Sequence, residues 1–122
     1  MDWPVIGDTV YDSIGAVLAS SEGTTLDPGA STNAKGAWAN LIASVPFSAS
    51  GFILMVHSDV GGPTLASYLF DIGVGSQPII IVPNLLISGS IVFYATALIP
   101  IPIPAGNALQ GRVQSTGSAA TQ

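Results

Sequence analysis

The stretch Leu65-Ala66-Ser67-Tyr68-Leu69-Phe70-Asp71-Ile72-Gly73-Val74 decides the fold class. Read at a period of two, Ala66, Tyr68, Phe70, Ile72 and Val74 share one face, and Leu65, Ser67, Leu69, Asp71 and Gly73 share the other. Alternation of this kind marks a strand that buries one face more than the other. The same period returns near the C-terminus, where Leu109, Gly111 and Val113 oppose Gln110, Arg112 and Gln114, the pattern of a strand with one wet face. Around these two stretches, 14 Gly and 9 Pro divide the chain into short apolar runs rich in Val, Ile, Phe and Tyr. Such punctuation bounds strands with turns.

Strands are therefore expected near residues 16–20, 37–43, 52–57, 65–74, 79–82, 91–103 and 109–114, with a further short one near 24–26. Phe52-Ile53-Leu54-Met55-Val56 and Ile79-Ile80-Ile81-Val82 are apolar on both faces. In an antiparallel protein that requires a second sheet, a partner subunit or both. Seven or eight short strands at this spacing predict an all-β fold, an antiparallel β-sandwich of jelly-roll type. It spans residues 23–115, behind an N-terminal arm or leading strand (1–22) and ahead of a flexible tail (116–122) that lacks large apolar side chains. Helix is nearly absent from the pattern. Residues 11–18 are compatible with either a short helix or a strand.

Composition limits what such a domain does. Of 122 residues only 7% are charged, against roughly 25% in an ordinary soluble domain. A free monomer would then present large uncharged areas, so much of the surface is expected to be covered by copies of the chain or by other proteins. Disorder is excluded by the 48% hydrophobic content. Seven acids against two bases give a net charge of −5, and Lys35 and Arg112 alone cannot neutralise a nucleic-acid backbone. Cysteine is absent, which removes disulfides and thiol chemistry. The start, Met1-Asp2-Trp3-Pro4, does not read as a signal peptide. The longest Pro-free window in the charge-poor second half, residues 84–99, falls short of the roughly 20 residues a membrane-spanning helix needs.

Residues suited to catalysis do not form a recognisable constellation. His57, Ser58 and Asp59 are adjacent, whereas a triad needs groups that converge in space, and neighbours on a strand end point alternately. Gly73-Val74-Gly75-Ser76-Gln77-Pro78 begins like a dinucleotide fingerprint but places Pro78 where the third glycine belongs. The acids show no calcium-loop spacing. No catalytic, cofactor or metal-binding residue is expected.

The informative residues are structural. Asp71 interrupts an apolar strand and is expected either to pair with Arg112 or Lys35, fixing strand register, or to face water. Gly73, Gly75 and Gly106 are expected to supply positive φ at turns, and Pro83 and Pro104 to mark strand boundaries. Trp3 and Trp38 suit a core, an interface or a sugar-stacking platform. In Ile99-Pro100-Ile101-Pro102-Ile103-Pro104 the prolines delete donors along one edge while the isoleucines keep theirs on the other. That segment is expected at a sheet edge, or as polyproline II, with Pro100, Pro102 and Pro104 blocking unwanted strand addition.

Four strings in order resemble a family of tailed-bacteriophage virion proteins: Asn33-Ala34-Lys35-Gly36-Ala37-Trp38, Leu69-Phe70-Asp71-Ile72-Gly73-Val74-Gly75, Ile81-Val82-Pro83-Asn84-Leu85, and Ile103-Pro104-Ala105-Gly106 leading into Arg112-Val113-Gln114. The resemblance covers roughly residues 23–115. It departs from the pattern at Pro78 and at Asn107-Ala108, where a basic residue often follows the Pro-Ala-Gly turn. It implies a non-enzymatic assembly role in the virion, as capsid decoration or as a tail or fibre component, with the major capsid or other virion proteins and further copies of the chain as partners; charge and proline spacing add the expectation of no nucleic-acid or membrane contact. A carbohydrate-binding β-sandwich is the alternative expectation.

Overall fold

The computed structural model describes residues 24–56, 67–87 and 95–117. They form six strands, β1 (Ala39–Ile42), β2 (Phe52–Val56), β3 (Tyr68–Val74), β4 (Ile79–Ile87), β5 (Ala95–Ile99) and β6 (Leu109–Ser115). One sheet has the order β1-β6-β3-β4, the other pairs β2 with β5, and every pairing is antiparallel. The described residues are all-β, and no helix among them is long and apolar enough to cross a membrane. The expected strand at 16–20 lies outside the described residues. The one at 24–26 does not form: Thr24 Oγ1 donates to the Asn40 carbonyl at 3.2 Å, and Leu26 turns its side chain onto the core.

The alternation in β3 becomes burial. Tyr68 and Phe70 are buried and Ile72 is fully enclosed. Tyr68 and Phe70 join Val113 of β6 in a core against which Leu26, Val56, Leu85 and Ile87 pack. Each such side chain contributes about 1.5–3 kcal/mol by leaving water. Val56 brings the two-stranded sheet into contact with this core.

Several local expectations are corrected. The polar face of β6 is not wet throughout: Gln110 is buried, because its Nε2 donates to the Gly75 carbonyl at 2.7 Å and the β3–β4 turn covers it. β4 does not stop at Val82 but continues through Pro83 to Ile87. Proline is tolerated there because β4 is an edge strand and the ladder is bulged: Phe70 pairs with Leu85 and Ile72 with Val82, so Pro83 and Asn84 face Asp71 alone. Asn84 accommodates the bulge at φ 52°, a region asparagine tolerates better than most residues. At the other end of the chain, β6 includes Ser115, which is buried, and Thr116 donates from its N–H to the Ser67 carbonyl at 3.0 Å.

The expected strand at 91–103 is shorter, because Pro100 cannot continue the β5 ladder and β5 ends at Ile99. The donor arithmetic of the proline run is nevertheless obeyed. Ile99 pairs with Phe52, and Ile103 exchanges both backbone hydrogen bonds with Ala49 at 2.8 Å. Ile99 and Ile103 are buried while Pro100, Pro102 and Pro104 are exposed. Gly75 and Gly106 take positive φ, at 98° and 83°. Gly73 does not; it lies inside β3, where a side chain would have no room.

Candidate functional site

Four separate segments meet at Asp71. Arg112 stands directly opposite it in the β3–β6 register. The segment before β1 runs along the end of β6, with Asn33 N–H donating to the Ser115 carbonyl at 2.7 Å and Gly36 N–H to the Val113 carbonyl at 2.8 Å. Lys35, between them, reaches across β6 to β3. Trp38 follows, and the bulge in β4 brings Asn84 from the other side. Each of the four sequence strings quoted above contributes at least one of these residues.

Both oxygens of the carboxylate are engaged. Arg112 Nε donates to Asp71 Oδ2 at 2.9 Å, while Oδ1 accepts from Lys35 Nζ at 3.0 Å and from the Asn84 N–H at 2.8 Å. Lys35 Nζ also donates to Asn84 Oδ1 at 2.9 Å. The Asp71 side chain is 4% exposed, whereas the side chains of Lys35 and Arg112 remain about a quarter exposed. Burial by itself would raise the Asp71 pKa. The Asn84 N–H and the two cations outweigh it and leave the pKa below the ordinary aspartate value. A carboxylate so held is a stable anion and a weak base at neutral pH, suited to fixing β3, β4 and β6 in one register.

Trp38 completes the cluster, with the Arg112 guanidinium carbon 4.6 Å from its ring centroid. Its far edge lies over Gly73: a Cβ there would come within 3.1 Å of Trp38 Cη2 and 2.7 Å of Pro78 Cβ. Gly73 is thus the floor on which the indole rests. Among the predicted residues the structure brings Trp38, Asp71, Gly73 and Arg112 together, and it excludes the alternative in which Asp71 faces water. Gly75 lies in the β3–β4 turn, and Pro100, Pro102 and Pro104 are not part of this cluster. Trp3, His57 and Asp59 lie outside the described residues. Asn84 and Gln110 were not anticipated, although Pro-Asn within an apolar run is a signal for a bulge.

Two further surfaces stand out. The outer face of the β2–β5 ribbon exposes Ile53 (65%), Met55 and Leu98 (72%), with Ile53 and Leu98 directly opposite each other. On β4, Ile79 (74%), Ile80 and Leu86 are exposed. Ile79 and Ile81 line an open groove of about 430 Å³ together with Pro102, Pro104 and Asn107. Comparison with protein-family models, with curated proteins and with solved structures finds no match.

Proposed function

We propose that this chain is a non-enzymatic structural subunit of a virion of the tailed-bacteriophage kind, set on the capsid surface and working through contacts with its own copies and with the major capsid or other virion proteins. In this reading the β2–β5 ribbon belongs to the second layer of a jelly-roll-like β-sandwich. The observation that carries the proposal is the set of large apolar side chains exposed on β2, β4 and β5 of a chain with only 7% charged residues. Exposed apolar side chains in this number favour burial against another protein. The polar cluster supports a structural role, since both oxygens of its carboxylate are engaged in joining β4, β6 and the segment before β1 to β3.

The alternative, a carbohydrate-binding or tail-fibre module, draws on Trp38 beside polar groups. It is the weaker reading because the guanidinium of Arg112 already occupies the ring. Purified particles containing this chain in fixed stoichiometry with the capsid protein support the capsid role. Particles lacking it, together with glycan binding lost on Trp38→Ala, support the alternative.

A further inference from the structure

We propose that Lys35 and Asn84 join in an intramolecular isopeptide bond after the chain has folded, with Asp71 carrying a proton between their nitrogens. The proposal does not depend on the virion reading. It rests on a juxtaposition: Lys35 Nζ lies 2.9 Å from Asn84 Oδ1 and 3.0 Å from Asp71 Oδ1, so an amine, a carboxamide and a carboxylate meet at one point.

Each partner is held from its backbone. The N–H groups of Asn33 and Gly36, on either side of Lys35, donate to the Ser115 and Val113 carbonyls of β6. Asn84 is pinned by its own N–H, which donates to Asp71 Oδ1 at 2.8 Å, and by the bulge that turns it to φ 52°. Glycine suits that φ at least as well, so the backbone alone does not call for asparagine. Among the described residues its carboxamide hydrogen-bonds only to Lys35. The carbonyl carbon of Asn84 sits one C=O bond, about 1.2 Å, from Oδ1, which puts Nζ no more than about 4.1 Å from it. The terminal torsion of asparagine is broad, and a turn of the carboxamide brings carbon and amine to the roughly 3–3.5 Å from which such pairs react. Groups fixed in this way react as though each were present at very high concentration.

The atoms balance without an oxidant or a cofactor. The Lys35 side chain is 22% exposed, so its ammonium can release a proton to water. The freed lone pair of Nζ forms a bond to Cγ of Asn84, and the carbonyl π electrons move onto Oδ1. Nζ is then cationic and acidic enough to give a proton even to a weak base. Asp71, kept ionised by Arg112 on its other oxygen, accepts that proton and passes it to Nδ2. Collapse of the tetrahedral centre restores the C=O and breaks the Cγ–Nδ2 bond. Nδ2 leaves as ammonia, which takes up the proton released at the start. Lys35 belongs to the segment beside β6 and Asn84 to the edge strand β4, so the new amide spans β6 and β3 and closes the sheet covalently in a chain without cysteine.

Intact-mass spectrometry of the full-length chain tests the bond, since Lys35 is its only lysine. Folded parent kept for several days at about pH 9, where a larger share of lysine is amine, should lose the mass of one ammonia in most molecules. Chymotryptic digestion should then release one branched peptide joining Lys35 to Asn84. The same parent unfolded in guanidinium chloride should keep its mass, as should folded Lys35→Arg and folded Asn84→Ser, the second of which retains both cations. An unchanged mass in the folded parent would overturn the proposal, and so would an equal loss of ammonia in the unfolded one. A gain of one mass unit at Asn84 would overturn it by showing that water hydrolyses the carboxamide instead. Loss of ammonia that persists in Lys35→Arg would do the same, by assigning it to a succinimide closed by asparagine on its own backbone.

Discussion

The backbone N–H of Asn84 donates to Oδ1 of Asp71 at 2.8 Å, across a bulge that sets two residues of β4 against one of β3. A regular ladder would place a single residue opposite Asp71; the bulge instead aims a main-chain donor at its carboxylate. The same oxygen accepts from Lys35, and the other from Arg112. One buried side chain thereby ties the edge strand β4, the central strand β6 and the segment before β1 to β3.

Replacing Asp71 by Asn should be costly although the shape is nearly unchanged. It leaves two cations side by side without their anion and removes a charged acceptor from three donors. A loss of about 2–4 kcal/mol is expected, at or below the range for breaking a buried pair because both cations are partly solvated. Urea unfolding followed by far-ultraviolet circular dichroism measures it; a loss under about 0.5 kcal/mol would show that the cluster contributes little to stability.

The contribution of Asp71 should depend on pH in a defined direction. Its folded-state pKa lies below the ordinary aspartate value, so its stabilisation is fully present above the unfolded pKa of about 3.9 and is lost as pH falls through the folded value. The stability difference between the parent and Asp71→Asn should stay level from about pH 7 to pH 5 and shrink below about pH 4. A difference that grows on acidification would contradict the assigned direction.

Gly73→Ala tests the seat of Trp38. The added methyl must displace Pro78 or the indole, at a cost of about 1–3 kcal/mol. Because Trp38 supports Arg112, tryptophan fluorescence should change along with the melting temperature. An Ala variant as stable as the parent, with unaltered emission, would show that the ring does not rest on Gly73.

These features differ in how far they can be read from the sequence. β3 and β6 are legible because alternation in Tyr68–Val74 and Leu109–Ser115 reports directly on which side chains share a face. Asp71 stands out as a charge in an apolar run, and with two cations in the chain its possible partners are few. What stays hidden depends on neighbours. Pro83 reads as a stop, and only its place on an edge strand beside a bulge lets β4 continue. Gln110 reads as wet until the turn at Gly75 closes over it. Gly73 resembles a turn glycine, yet what requires it is the close approach of Pro78 and of a tryptophan 35 positions away in sequence.

The proline run offers a test of edge protection. Pro100 and Pro102 are exposed, and replacing both with Thr restores two donors without lowering β propensity. The double variant should aggregate more readily than it loses stability. Turbidity and thermal unfolding on one sample separate the effects: a variant as soluble as the parent but several degrees less stable would show that the prolines act through rigidity.

The assembly role rests on the exposed apolar faces of β2, β4 and β5, and light scattering on the purified full-length chain tests it most directly. Ile53, Met55, Leu98 and Ile79 should be covered in solution, which calls for an interface of at least about 1,000 Å². The expected result is a defined oligomer that dissociates when Ile53 and Leu98 are both replaced by Ser, with the strand content unchanged. A parent that stays a monodisperse monomer at high concentration would contradict it.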